Sequence, residues 1–440
     1  MSETTPGVAP APDLLRIATA GSVDDGKSTL VGRLLYDTKS VLADQIDAVT
    51  RASVDRGMDT PDLSLLVDGL RAEREQGITI DVAYRYFATP ARSFVLADTP
   101  GHVQYTRNTV SGASTAQLVI LLVDARNGVV AQTRRHAAVM ALLGVPRLVL
   151  AVNKIDLVDD AASVFGEISA EFNALTRALG YSSDQVVEIP VSALHGDNIA
   201  VRSETTPFYD GPTLIEHLET VPNEPDRKHV GLRFPVQYVI RPRTADYPDY
   251  RGYAGQVAAG RVSVGDEIVV QPSGQRSTIA KIDTADGELP TAHTGRSVTL
   301  LLADDIDISR GDLIAAIEDA PEPAQQFTAT VCWLADKPLR PGARLLLKHG
   351  TKTTPVIIGG LDTLFDEQNL ALVEGPDTIE LNQIGRIALT TAEPIAADDY
   401  QTNRETGSFL LIDPQGGNTL GAGLIGDALE SLNLAQAALV

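Results

Sequence analysis

Three short segments of this 440-residue chain combine residue types and spacings suited to holding a nucleoside triphosphate. The first is Gly21-Ser22-Val23-Asp24-Asp25-Gly26-Lys27-Ser28, a full G-x-x-x-x-G-K-[ST] pattern followed by Thr29. Its glycines let the backbone curl so that N–H groups converge on an anion. Lys27 can reach the β- and γ-phosphates, and the Ser28 hydroxyl can ligate Mg²⁺. The second segment is Asp98-Thr99-Pro100-Gly101-His102. Asp98, at a strand end, can organise the water shell of Mg²⁺, and the Gly101 amide can approach the γ-phosphate. The third is Asn153-Lys154-Ile155-Asp156, supported by Ser192-Ala193-Leu194. A carboxylate at Asp156 accepts from the N1–H and exocyclic amine of guanine, a donor pair adenine lacks, so the pocket should select GTP over ATP. Lys154 would lay its stem against the base, and the Ser192 loop would supply backbone contacts to the guanine oxygen.

Two further residues complete the expected chemistry. Thr79, in Gly77-Ile78-Thr79-Ile80, is the candidate for a second Mg²⁺ hydroxyl on a switch that senses the γ-phosphate. His102, directly after Gly101, is placed to orient the attacking water and is the catalytic candidate. The predicted metal site is therefore Ser28, Thr79 and Asp98, the last through water. The seven histidines show no metal-ligand spacing, so zinc is not expected. The acidic pairs Asp159-Asp160, Asp304-Asp305 and Asp398-Asp399 read as solvated turn charges.

These loops need strands and helices to hold them. Strands are expected at Leu14–Ala20, Phe94–Ala97, Leu118–Val123, Leu148–Val152 and Val186–Pro190, the first, second and fourth ending where a motif begins. Helical periodicity covers Lys27–Tyr36, Thr133–Leu143 and Ala161–Leu179. Alternation of the two predicts an α/β P-loop domain, a mostly parallel sheet with helices on both faces. The polar–apolar segment Val82–Ala88 fits an antiparallel edge strand and brings the sheet to six. Val41–Ala52 and Leu70–Glu75 look helical within the long connection to Thr79. After the proline-marked linker Val221–Pro225, short strands alternate with turn signals such as Ser263-Val264-Gly265-Asp266 and Pro272-Ser273-Gly274, a spacing that argues for an all-β barrel or sandwich. With the second strand-rich block after Ala320–Pro323, the expectation is two all-β barrels. The expected division is a frayed tail at 1–12, the nucleotide domain at 13–225, barrels at 226–319 and 324–413, and a C-terminal tail at 414–440 with a short helix over Leu424–Leu439.

Composition narrows the function classes. A formal net charge of −22 argues against nucleic acid as a partner. Cys332 is the only cysteine, so neither an intrachain disulfide nor a thiolate metal cluster can form, as suits a reducing cytoplasm. The N-terminus lacks a basic start and an apolar core, and no apolar run is long enough to span a membrane.

The Gly-Ile-Thr-Ile switch, the histidine after Asp-x-x-Gly and the two trailing barrels resemble translation-factor GTPases of the elongation-factor kind. Within that class, the chain looks like the GTPase large subunits (subunit 1) of bacterial sulfate adenylyltransferases. Elongation factors usually carry histidines at the places of Ser22 and Asp25, so the loop favours the sulfate enzymes. The resemblance is carried by the phosphate loop, by the run from Leu66-Val67-Asp68 through Glu73-Arg74-Glu75-Gln76-Gly77-Ile78-Thr79-Ile80 to Phe87, and by Asp98-Thr99-Pro100-Gly101-His102-Val103-Gln104-Tyr105. Arg233-Phe234-Pro235-Val236-Gln237-Tyr238-Val239, Arg251-Gly252-Tyr253-Ala254-Gly255 and Ile306-Asp307-Ile308-Ser309-Arg310-Gly311-Asp312 add to it in the first barrel. It implies that GTP hydrolysis is coupled to the reaction of ATP and sulfate to adenosine 5′-phosphosulfate and diphosphate. It further implies a hetero-oligomer with a small catalytic adenylyltransferase subunit similar to ATP pyrophosphatases. No second phosphate loop follows residue 412, so the adenylylsulfate kinase fused to some relatives is not expected. The segment Pro242–Asp249 looks longer than the family's usual connection. The competing reading is an elongation-factor-like GTPase that binds aminoacyl-tRNA or the ribosome.

Overall fold

Continuous apolar runs such as Leu118–Asp124 cannot alternate a wet and a dry face, so they must lie in the middle of a sheet covered on both sides. The computed structural model places them there. It describes residues 13–55, 57, 61–67, 82–99, 106–223, 230–242, 250–366, 369, 371–430 and 432. Two compact units result, one essentially Met1–Pro225 and the other Asp226–Asp366 with Leu372–Ser431.

The first unit holds a six-stranded sheet of β1 (Leu14–Gly21), β2 (Ala83–Ala88), β3 (Ser93–Asp98), β4 (Leu118–Asp124), β5 (Arg147–Asn153) and β6 (Val186–Pro190), in the order β2-β3-β1-β4-β5-β6. Neighbours pair in parallel except β2, which runs antiparallel to β3 at the edge. Every residue of β4 is buried, whereas β2 alternates until Phe87. Among the described residues the α-helices are α1 (Lys27–Asp37), α2 (Ala43–Asp55), α3 (Thr106–Ala113), α4 (Ala131–Leu142), α5 (Ala161–Ala178) and α6 (Leu214–Thr220). Leu30 and Leu34 of α1 pack with Ile17, Leu96, Ile120 and Ile189 of the sheet in one core. Strand order reverses on either side of β1, and a crevice outside the carboxyl ends of the strands is where such sheets bind ligands.

The second unit is all β. Its first part comprises β7 (Arg233–Ile240), β8 (Gly252–Gln256), β9 (Arg261–Ser263), β10 (Glu267–Gln271), β11 (Gln275–Thr284), β12 (Gly287–Glu288), β13 (Thr291–His293), β14 (Ser297–Leu302) and β15 (Leu313–Ala316). Its second part comprises β16 (Pro323–Trp333), β17 (Arg344–His349), β18 (Lys352–Asp366), β19 (Ala371–Glu374), β20 (Ile384–Ala396), β21 (Ser408–Ile412) and β22 (Thr419–Ile425). The order β10-β15-β7-β8-β14-β11 closes through the β10–β11 pairing, and β17-β21-β22-β16-β20-β18 closes through β17–β18. Both are six-stranded barrels, each with its own apolar core.

Two expectations are corrected. The segment expected as a C-terminal tail contains β22, which pairs with both β16 and β21, so Leu424 and Ile425 end a barrel strand rather than begin a helix. Its glycines allow close packing. A Cβ on Gly423 would lie 2.1 Å from the Phe409 ring, and one on Gly421 would crowd Trp333. Asp398 is no solvated charge either. It is 7% exposed and accepts from Arg233 Nε and Nη2, each at 3.0 Å. Those bonds tie β7 to the far barrel, and Arg233, 2% exposed, also donates through Nη1 to Asp319 in the connection before β16 at 3.0 Å. Asp160 caps α5 by accepting from the Ser163 amide. Asp304 accepts from the Ser277 hydroxyl, and Asp305 pairs with Arg251. Cys332 lies buried in β16.

Candidate nucleotide site

The sequence motifs converge because each one terminates a parallel strand at the same edge of the sheet. Gly21 ends β1, Asp98 ends β3, Asn153 ends β5, and Ser192 follows β6 by two residues. Between β1 and α1 the loop turns through Asp24 at φ 67° and Gly26 at φ 93°. A side chain at Gly26 would be strained by that φ, and its Cβ would stand 2.4 Å from Asn153 Nδ2. Only glycine lets the base loop lie against the phosphate loop here. The loop is braced from within, since the Ser22 amide donates to Asp25 Oδ2 at 2.6 Å. Burial pushes the Asp25 carboxyl up, against the lowering effect of that bond and of Lys27.

Lys27 opens α1 and is 8% exposed. Its Nζ donates to the carbonyls of Gly21 at 2.8 Å and Ser22 at 2.7 Å, which curls the loop around the ammonium. Burial lowers its pKa despite the nearby Asp25, Asp98 and Asp24 carboxylates. The first-turn amides of α1, from Lys27, Ser28 and Thr29, have no helical acceptors and sit at the positive end of the helix, a natural place for phosphate oxygens. Val23 and Asp24 lie exposed at the loop tip. Asp98 is fully buried, and Thr19 Oγ1 donates to its Oδ1 at 3.0 Å. Thr99 Oγ1 donates to the Thr19 carbonyl at 2.5 Å, locking the end of β3 to β1.

Asn153 joins the two ends of the site. Its Nδ2 donates to the Asp25 carbonyl at 2.7 Å, and its Oδ1 accepts from the Ala193 amide at 2.9 Å. Ser192 and Ala193 are buried, while Asp156 and Leu194 are exposed, so the base side opens to solvent. Ile155 anchors the loop in the core. His195 Nε2 stands 3.7 Å from Asp156 Oδ2. Lys154, at φ 60°, reaches over to donate to the Asp24 carbonyl at 2.6 Å.

Residues 12–226 match the Elongation factor Tu GTP binding domain, and residues 326–426 match the GTP-eEF1A C-terminal domain-like family. Sulfate adenylyltransferase subunit 1 of Aliarcobacter butzleri (strain RM4018) is 47% identical over 421 residues, covering 95% of this chain and 88% of the relative. The protein of the same name from Aliivibrio fischeri (strain MJ11) is 48% identical over 416 residues, covering 94% and 86%. The chain belongs to the sulfate adenylyltransferase subunit 1 family. A bifunctional enzyme CysN/CysC of Mycobacterium tuberculosis (strain ATCC 25618 / H37Rv) is 54% identical over 413 residues, and this chain spans 94% of itself but only 67% of that relative.

For a member of the sulfate adenylyltransferase subunit 1 family, with its elongation-factor-type GTPase domain, GTP is the expected occupant of this edge of the sheet. Of the predicted residues, Gly21 to Thr29, Asp98, Thr99, Asn153 to Asp156 and Ser192 to Leu194 come together there. Thr79, Pro100, Gly101 and His102 lie outside the described residues, as do Leu70–Glu75 and most of Pro242–Asp249. Sequence reasoning missed three participants. Arg33, two turns into α1, donates to the carbonyls of Ala193 at 3.2 Å and of Leu194, holding the base loop from below. Asp124 ends β4 directly opposite Asn153 of β5, and its Oδ2 lies 2.9 Å from Lys154 Nζ. Arg126 grips the same carboxylate. A strand-terminal acid in register with the other strand-terminal motifs was the available signal for Asp124; Arg33 had none.

Proposed function

We propose that this chain is the GTPase subunit of a two-component sulfate adenylyltransferase. It couples GTP hydrolysis to the formation of adenosine 5′-phosphosulfate and diphosphate from ATP and sulfate, a step of sulfate assimilation. The carrying observation is the 47–48% identity, over most of both chains, to relatives named subunit 1 of that enzyme. The adenylyl transfer belongs to a small partner subunit of the ATP-pyrophosphatase kind, in the cytoplasm. Sulfate oxygen attacks the α-phosphorus of ATP there, and diphosphate leaves. Among the described residues, no helix is long and apolar enough to cross a membrane.

Within the GTPase site, Lys27 and the first-turn amides of α1 hold the phosphates, and Asp156 reads the guanine edge. Ser28 and Asp98 would hold Mg²⁺. A hydroxyl and a buried carboxylate fit that hard, oxygen-seeking cation. Thr79 would add a second hydroxyl and Asp98 would act through water, with nucleotide oxygens and water filling the remaining positions. Bound there, Mg²⁺ would neutralise charge on the β- and γ-phosphates. Thr79 and Gly101 sense the γ-phosphate, and His102 orients the attacking water. Coupling requires that the GTP and GDP forms contact the partner differently, since a nucleotide state without differential contact drives nothing.

The test is reconstitution with the small subunit and measurement of adenosine 5′-phosphosulfate from ATP and sulfate. Formation should rise on addition of GTP and fall back with a non-hydrolysable analogue. Indifference to GTP would overturn the proposal.

A further inference from the structure

The carboxylate at the end of β4 has no place in the phosphate or base motifs, yet it lies in their midst. Asp124 is 3% exposed at its side chain and makes two kinds of contact. Its Oδ1 accepts from the Arg126 amide at 3.0 Å and from Arg126 Nε at 2.9 Å. Its Oδ2 accepts from Arg126 Nη2 at 2.6 Å and faces Lys154 Nζ at 2.9 Å. The guanidinium fork thus fixes the rotation of the carboxylate and leaves Oδ2 pointing at Lys154. The backbone beneath is equally held. Ala125 donates its N–H to Asn153 O at 2.8 Å, and the Asn127 and Gly128 amides donate to the Asp124 carbonyl at 2.9 and 3.1 Å.

Lys154 is the side chain that crosses from the base loop to the phosphate loop, ending on the Asp24 carbonyl. A single carbonyl bond would leave a flexible ammonium, one quarter exposed, free to swing into water. A fixed carboxylate on its other side removes that freedom. Burial raises the Asp124 carboxyl, but the bonds from Arg126 and Lys154 outweigh this and hold it far below the usual carboxylate range, so it stays charged at any working pH.

We propose that Asp124, steadied by Arg126, is a positioning residue that sets how long guanine nucleotide stays bound, by pinning Lys154 across the mouth of the pocket. Arg126 is half exposed, at 49% of its side chain, so the pin is reachable from the surface. The proposal rests on guanine nucleotide occupying the pocket between Lys27 and Asp156, and it is independent of sulfate chemistry.

The test follows release of methylanthraniloyl-GDP from the full-length protein, chased with unlabelled GDP. Asp124→Asn keeps the shape and removes the charge; it should speed release about tenfold, as expected for losing one charge-assisted bond. KM for GTP should rise while kcat holds. In a Lys154→Met background the same substitution should change release less than twofold, because the residue acts through that lysine. Arg126→Gln, on the exposed side and safe for folding, should speed release severalfold. Wild-type release rates in Asp124→Asn or in Arg126→Gln overturn the proposal, as does a full Asp124→Asn effect that persists without Lys154. Failure of the wild-type protein to take up labelled GDP would instead remove the reading beneath it.

Discussion

Lys27 in the nucleotide unit and Arg233 in the barrel unit are both buried cations, and their surroundings differ in kind. Arg233 is satisfied by opposite charge. Asp398 and Asp319 share its fork, and although burial opposes it, their hydrogen bonds push its pKa up. Among the described residues, Lys27 bonds only to the neutral carbonyls of Gly21 and Ser22, and burial pushes its pKa down. A buried charge that is fully paired joins two pieces of structure. One bonded to neutral carbonyls keeps N–H donors and charge available to an anion. The distinction separates a seam from a site without any appeal to motif.

Substitution can break that comparison. Lys27→Ala should lower GTP affinity by at least about 100-fold, the loss of charge-assisted bonds worth about 1.5–3 kcal/mol each, and leave unfolding without nucleotide within about 1 kcal/mol of wild type. Arg233→Ala should do the reverse. Leaving Asp398 buried and unpaired costs about 3–5 kcal/mol of barrel stability, with GTP affinity unchanged. Calorimetric titration and denaturant unfolding of both variants decide the matter; a destabilised Lys27 variant with intact binding would erase the contrast.

A smaller effect sharpens the picture at the open end of the pocket. Asp156→Asn should cut the preference for GTP over ATP by about 100-fold, because the carboxylate alone can accept both guanine donors. Competition of each nucleotide against labelled GDP measures it, and an unchanged preference would move base selection elsewhere.

The smallest effect concerns a third buried ionisable group. His136 of α4 is 4% exposed, and burial, with Lys27 and Arg135 nearby, lowers its pKa to about 3. Above pH about 6.5 the ring is neutral in both folded and unfolded chains and costs nothing. As pH falls from there toward 3, the unfolded chain takes up a proton that the folded one cannot. Stability should therefore drain by at most about 1.4 kcal/mol per pH unit on this account. His136→Gln should flatten the fall between pH 7 and 5 in denaturant unfolding. An identical slope would show that the ring is not kept neutral.

Much of this was legible in the chain. The phosphate loop is contiguous, so its eight residues carry their own geometry, and the buried parallel strands announce themselves as apolar runs. The turns at Gly265 and Gly274 sit where the sequence predicted them. The glycine-rich end was misread because glycine signals freedom in a loop and close contact in a strand, and only Phe409 and Trp333 reveal which applies. Asp398 was misread because its partner lies 165 residues away.

The sequence by itself determined the chemistry on offer: an amide cradle with a lysine, a guanine-reading carboxylate, and strands apolar enough to need covering on both faces. Tertiary structure alone decided how those pieces meet. Asn153 reaches the Asp25 carbonyl across 128 residues of chain, and Asp124 faces Lys154 from a neighbouring strand. Local residue pattern fixes what a segment can bond. Which bond forms depends on the register between strands, and that is set by the packing of the whole sheet.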